Sequence, residues 1–354
     1  MTRADLGLPL VTALVLAMGL ATLNSAAAGG GQFERQIAFL GGGVLTCAAL
    51  LWIGKVRIVR FTPHLYALSI GLLVLVQLVG REVNGAKSWL YLGPLPGFQP
   101  SELAKIALIL ALASAMHERP IRGVLDYLRV AALAGPPVAL VFLEPDLGSA
   151  LVIAMVAAGM VLVRGLPWKH LVLIVLAVAV AVPTVVLPNL ADHQRARLLS
   201  FVDPEADAQG SGYQIIQATI AVGSGGLLGK GYKQGTQAQL GYIPERHNDF
   251  IFPVLAEEGG FVASVTLLLL YGLLFWRLVA MAADCPFERD QLIIIGVVVL
   301  IGFQVLVNIG VALGLAPVTG ITLPLVSYGG TSLMSTLLAL GIAFTVHRDR
   351  YAEW

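Results

Sequence analysis

An acid and a base stand three residues apart in the run FQPSELAKIALILALASAM. Pro100 suits a first helical turn, so Glu102 and Lys105 follow at i and i+3 on one helical face, where they can pair. At bilayer depth a lone charge costs about 2.5–3.5 kcal/mol on insertion scales, and a pair facing the bundle interior or a wet cavity costs less. Two readings compete. The pair either clamps two helices or offers a cationic handle, oriented by Glu102, to an anionic substrate.

A second cluster is GYIPERHNDFIFPVLAEEGGF, in which Glu245, Arg246, His247 and Asp249 precede an apolar segment and Glu257 and Glu258 lie one or two turns into it. A solvated helix entry explains some of these charges. Asp249 is different, because Phe250, Ile251 and Phe252 follow it and set its carboxylate against apolar surface. Partial desolvation raises a carboxylate's pKa and makes it a better base. His247 has no neighbours that complete a triad or a metal set.

The glycines Gly223, Gly225, Gly226, Gly229 and Gly231 around Lys230 invite a nucleotide-loop reading. Their spacing refuses it. No G-x-G-x-x-G passes through them, and glycine follows Gly229-Lys230 where a P-loop needs Ser or Thr. Tight turns and close backbone approach are the default, with contact to a lipid pyrophosphate as the alternative. Two further polar patches sit at helix ends: EPDLGSALV, with Glu144 and Asp146, and GLAPVTGITLPLVSYGGTSL, where Pro317, Gly320 and Pro324 interrupt a helix and Ser327 stands before the last apolar run. A broken helix can aim backbone N–H groups at an anion, and a purely structural loop explains it equally well.

The elements that must position these residues follow from composition. Of 354 residues, 57% are hydrophobic and 12% charged, with a mean hydropathy of +0.84, which excludes a water-soluble protein of this size. The net charge of +1 gives no field for nucleic acid. Cys47 and Cys285 form neither a disulfide framework nor a zinc spacing, and the six histidines are scattered. Segments long enough to cross a bilayer as helices lie near 8–28, 37–53, 63–80, 101–116, 128–143, 147–164, 169–187, 255–276, 291–314 and 327–346. The expected fold is an all-α polytopic membrane protein of ten transmembrane helices, one domain over 1–354. The first span ends on small residues, Asn24 to Ala28, that mimic a signal-peptide cleavage site, but nine further spans favour an uncleaved anchor.

Basic residues set the orientation. Thirteen fall on one side (Arg3, Lys55, Arg57, Arg60, Arg119, Arg122, Arg129, Arg164, Lys169, Arg277, Arg289, Arg348 and Arg350), against Arg35, Arg81 and Lys87 in the short loops of the other. Both termini are therefore expected in the cytoplasm and the long stretch 188–254, between spans 7 and 8, outside. Loops of that length are usually functional or disordered, and this one contains an apolar stretch, Ile215 to Val222, too short to span. It reads as a re-entrant or interfacial helix packed on the bundle.

The runs FQPSELAKI, EPDLGSALV, GYQIIQA, PERHNDFIF, AEEGG and PLVSYGG, in this order across about 60–346, resemble the SEDS family of bacterial cell-wall polymerases. The PERHNDFIF form is closer to the elongation branch, typified by RodA, than to the division branch, typified by FtsW. The resemblance implies a peptidoglycan glycosyltransferase of the bacterial cytoplasmic membrane that polymerises lipid II on the outer face, with a role in cell shape. It puts the family's essential aspartate on Asp249 and its acid and lysine of the fourth span on Glu102 and Lys105. It implies as partners the undecaprenyl-linked glycan chain and a class B penicillin-binding protein that crosslinks the product.

The chemistry needs one base and a stabiliser of phosphate charge, because pyrophosphate leaves without the second carboxylic acid that a glycosidase uses. Asp249 is the expected base and Lys105 the first cation. Lys230, Arg246, Arg195 and Arg197 stand behind it, and Glu245 and Ser327 complete the candidate substrate contacts. The sequence assigns no cofactor, and a divalent cation held by Glu257 or Glu258 stays open. Two other functions share these features: a transporter that flips lipid II, and a non-catalytic scaffold for the crosslinking enzyme.

Overall fold

The computed structural model describes residues 6–27, 31–83, 85–91, 97–118, 123–165, 167–190, 192–207 and 210–352. Arg3, Arg119 and Arg122, counted above for orientation, lie outside the described residues. In order, the chain forms α1 (Gly7–Ala26), α2 (Gln32–Ile53), the short α3 (Lys55–Arg60), α4 (Thr62–Val79), β1 (Arg81–Val83), β2 (Ala86–Trp89), α5 (Pro100–Glu118), α6 (Val124–Leu143) and α7 (Leu147–Val163). It continues with α8 (Trp168–Ala181), a π turn (Val182–Val186), α9 (Asp192–Val202), α10 (Ser211–Ser224), α11 (Thr236–Gln239), α12 (Ile251–Ala283), α13 (Glu288–Ala312) and α14 (Gly330–Arg348).

Each of the ten expected spans meets a helix. Seven of these, α1, α2, α4, α6, α12, α13 and α14, are long and apolar enough to cross a membrane. The other three positions hold α5 with its acid and base, α7 of 17 residues, and α8 of 14 residues with the π turn behind it. The chain is a multi-pass helical membrane protein. One element departs from the all-α expectation: β1 and β2 pair antiparallel, Arg81 opposite Trp89, between α4 and α5. Its signal was the Asn84-Gly85 dipeptide, a hairpin pair whose glycine takes φ +83°, set too close to an apolar run to stand out.

The core is centred on α5 and α13. Residues 104–113 of α5 are buried on every side, as befits a helix hydrophobic all round. Helix α13 packs against α5, α7, α12 and α14, while α2 lies along α14 and α1 along α12. Helix α8 packs on the π turn and, among the described residues, on no other helix to a comparable extent.

The stretch 188–254 is mostly helical. The apolar Ile215 to Val222 lies inside α10, which buries Ile215, Ala218 and Ala221 and packs on α12. Helix α12 is not continuous. Gly260 adopts φ +67°, ψ −162°, open only to glycine, and frees four backbone groups that lipid could not satisfy. The glycine-rich segment takes them up. Lys230 N–H and Gly231 N–H donate to the carbonyls of Glu257 (2.9 Å) and Glu258 (3.0 Å), and Phe261 N–H and Val262 N–H donate to those of Gly226 (2.9 Å) and Leu227 (3.2 Å). The glycines are there for close backbone approach, the default reading of the sequence.

Candidate functional site

A cavity of about 1190 Å³ opens between α5, α7, α9 and α13, at the end of the bundle that carries 188–254. Its charged lining is Arg35, Glu102, Lys105, Asp146, Arg197, Glu245 and Asp249. Large clefts with a few convergent polar groups are the usual ligand sites. Three candidates singled out in the sequence, Glu102, Lys105 and Asp249, thus line one cavity although 147 residues separate the first from the last.

Asp249 sits in the turn before α12, half-buried. The three carbonyls of that turn are all held from the segment after α13 or from α13 itself. Tyr328 N–H donates to His247 O (2.8 Å), Ser327 Oγ to Asn248 O (2.7 Å), and Asn308 Nδ2 to Asp249 O (2.9 Å). Asn308 also donates to Ile321 O at 2.8 Å, so one buried amide ties the Asp249 turn to the irregular segment 314–329. Burial pushes the Asp249 carboxyl up to about 6; the nearby Glu245 carboxylate adds to the rise, and the Arg197 guanidinium opposes it. A Cβ at Gly320, which has φ +74°, would lie 3.8 Å from Arg197 Nη1 and 4.0 Å from Asp249 Oδ2. That glycine leaves the approach to the carboxylate open. Burial pushes His247 down, and its ring packs on Tyr328.

Glu102 and Lys105 are paired at 2.6 Å, and the second Glu102 oxygen accepts from Ser335 Oγ of α14 at 2.6 Å. The pair therefore both joins helices and faces the cavity. Arg35 and Arg197 are the cations of the lining whose side chains have no hydrogen-bond or ion-pair partner among the described residues. Arg197 ranked behind Lys105 in the sequence because a loop position suggested solvation, but it belongs to α9 and stands beside Asp249.

Three other candidates lie outside the lining. Lys230 Nζ binds Glu257 Oε1 (2.7 Å) and Thr236 Oγ1 (2.8 Å). Arg246 donates to the carbonyls of Ala26 (2.9 Å) and Ala238. Ser327 is buried and tied to Leu323 N–H and Asn248 O. All three hold the loop rather than face the cavity. Glu245 does line it, accepting from Asn248 Nδ2 at 2.9 Å.

The carboxylates considered for a divalent ion are occupied. Glu257 accepts from Lys230, Thr236, Gln237 N–H and Ala238 N–H, while Glu258 accepts from Ser25 and Gln239. Among the described residues no three metal-ligating side chains cluster. In the EPDLGSALV patch, Asp146 caps α7 through Ser149 N–H (2.9 Å) and binds Gln99 (2.9 Å). Its neighbour Glu144 is buried with both oxygens unpartnered, and burial, then the charge of Asp146, pushes it up to about 8.

Comparison with known proteins bears on this cavity. A family model described as a cell cycle protein and spanning FtsW, RodA and SpoVE matches residues 4–352. The chain is 39% identical over 321 residues to the peptidoglycan glycosyltransferase MrdB of Escherichia coli K12, covering 90% of this chain and 86% of that one. A solved chain from a peptidoglycan synthase complex, described as coordinating polymerization and crosslinking, has 49% identity and a TM-score of 0.88 with full coverage of both. The rod shape determining protein RodA of Thermus thermophilus has 42% identity and a TM-score of 0.77, covering 99% of each chain.

Proposed function

The chain belongs to the FtsW/RodA/SpoVE family, the SEDS proteins, and is a peptidoglycan glycosyltransferase; from that premise we propose that it polymerises lipid II with Asp249 as the general base. In the reaction the 4-hydroxyl of the acceptor GlcNAc attacks the anomeric carbon of MurNAc on the growing chain. The hydroxyl proton passes to the Asp249 carboxylate as the C–O bond to undecaprenyl pyrophosphate breaks, and its electron pair leaves with the phosphate. Attack opposite the leaving group inverts the anomeric centre. Proton transfer of this kind contributes about 10²–10⁴-fold.

The observation that carries this reading is one cavity holding a carboxylate at a pKa of about 6 beside an unpaired guanidinium, Arg197. A base is most effective when its pKa lies near the working pH. Charge building on the pyrophosphate needs cations aimed where it develops. Arg197 and Lys105 both line the cavity and serve that role, Lys105 with its orientation fixed by Glu102.

We place both termini in the cytoplasm and the cavity on the outer face. Of the thirteen basic residues on the cytoplasmic side, ten are among the described residues. Lipid II enters sideways from the bilayer. The role is elongation, with a class B penicillin-binding protein crosslinking the strands. Purified protein with labelled lipid II in detergent tests the reading. Glycan polymer from wild type and none from Asp249→Asn is the expected result. Translocation in vesicles without polymer would favour a transporter, and normal wall growth with Asp249→Asn a scaffold.

A further inference from the structure

Helix α13 carries two buried amides at one-turn spacing, Gln304 and Asn308. Asn308 is committed, since its amide hydrogens go to the carbonyls of Asp249 and Ile321. Those bonds fix where α13 stands relative to the base. Gln304 lies one turn away on the same face, about 5.4 Å along the axis. It is 4% exposed and lines the same cavity, yet its side chain has no hydrogen-bond partner among the described residues.

With no partner in the chain, the amide opens onto the cavity instead, and the run VVVLIGFQVLV around it gives no packing reason for a polar group. A ligand would supply the missing partner. A disaccharide whose hydroxyl reaches Asp249 extends past a point one helical turn from it. We propose that Gln304 is a substrate contact that reads an acetamido group of the lipid-linked disaccharide, an inference that rests on the polymerase reading above. A carboxamide offers one acceptor and one donor in a plane: Oε1 takes the acetamido N–H, and Nε2 donates to its carbonyl. A phosphate would use only Nε2 and strand Oε1, and the unpaired Arg197 and Arg35 already suit that charge.

Either sugar of the disaccharide carries such a group, so the test uses two lipid II analogues, each with a hydroxyl in place of one acetamido. Wild type, Gln304→Leu and Gln304→Met are compared for kcat/KM on native lipid II and on both analogues. An apolar side chain suits α13, so the variants are expected to melt at or above wild type. Wild type should prefer native lipid II over one analogue by about tenfold, and both variants should lose that preference with the acid limb of the pH profile unmoved. The analogue that loses preference identifies the sugar.

Variants that keep the wild-type preference overturn the inference whatever their absolute rates, as does a wild type indifferent to both analogues. A shifted acid limb would show that Gln304 acts through the base, which also overturns a substrate contact. Failure of wild type to polymerise native lipid II would instead overturn the polymerase reading.

Discussion

Two lysine–carboxylate pairs sit at opposite ends of the bundle. Lys105 and Glu102 meet at 2.6 Å in the cavity wall, with Ser335 on the free carboxylate oxygen. Lys55 and Asp290 meet at 2.8 Å with no exposed side-chain surface, the ammonium lying 4.8 Å from the Phe287 ring and 3.4 Å from Arg350 O. Local chemistry is nearly the same. Surroundings differ: the first pair borders a large cavity, whereas the second is sealed where α3 meets α13. Buried charge is costly in both places, so its presence alone does not mark a site. Access does.

The widest gap between the two ends is expected from Asp249→Asn. It should lower polymerisation by about 10²–10⁴-fold, the worth of a general base. The melting temperature should stay at wild type, because the turn is held through its carbonyls by Tyr328, Ser327 and Asn308 rather than through the carboxylate. Glycan assay and thermal unfolding in the same detergent read both quantities. A large loss of stability would make Asp249 structural and erase the contrast.

At the sealed end, Asp290→Asn or Lys55→Met alone should cost about 3–5 kcal/mol of stability by leaving one buried charge unpaired. The double change Lys55→Met with Asp290→Leu should recover most of that loss, since an apolar pair of similar volume is often neutral or better. Activity should return with stability. The matching double change at the cavity, Lys105→Met with Glu102→Leu, should recover stability and leave polymerisation lost. An active cavity double variant would break the comparison, because the two pairs would then have the same duty.

Arg197→Gln should lower kcat by about 10–10²-fold, below the 10²–10³ lost with one preorganised oxyanion donor. Lys105 remains to meet part of the pyrophosphate charge. Single-turnover measurements locate the loss in the chemical step, and a change confined to KM would move Arg197 from the leaving group to substrate docking.

Spans and pair were legible because periodicity and spacing are local: Glu102 and Lys105 follow from i, i+3 geometry, and every expected span met a helix. Asp249 was legible through Phe250, Ile251 and Phe252, which forecast its desolvation. Charge alone did not reveal the partners of Lys230 and Arg246, since Glu257, Ala26 and Ala238 come from other elements. Asn308 and Gln304 went unnoticed because single amides in an apolar run look like tolerated exceptions. Only the fold shows that one holds the Asp249 turn and the other, among the described residues, has no partner and lines the cavity.

The smallest effect is the most diagnostic. Asp249 must be ionised to accept a proton, and its pKa is raised from 3.8 to about 6, so activity should fall as pH drops through about 6. Glu245→Gln removes the nearby negative charge, which favours the carboxylate and moves the acid limb to lower pH. Arg197→Gln removes the opposing cation and moves it to higher pH. Burial is the largest cause of the shift and survives both changes, so each movement should be partial. The Lys55→Met, Asp290→Leu protein should titrate like wild type, since those groups face α3 and α13 and not the cavity. Opposite movements from Glu245→Gln and Arg197→Gln identify Asp249 as the titrating base. An acid limb that ignores both and follows the sealed pair would assign the proton to the other end of the bundle.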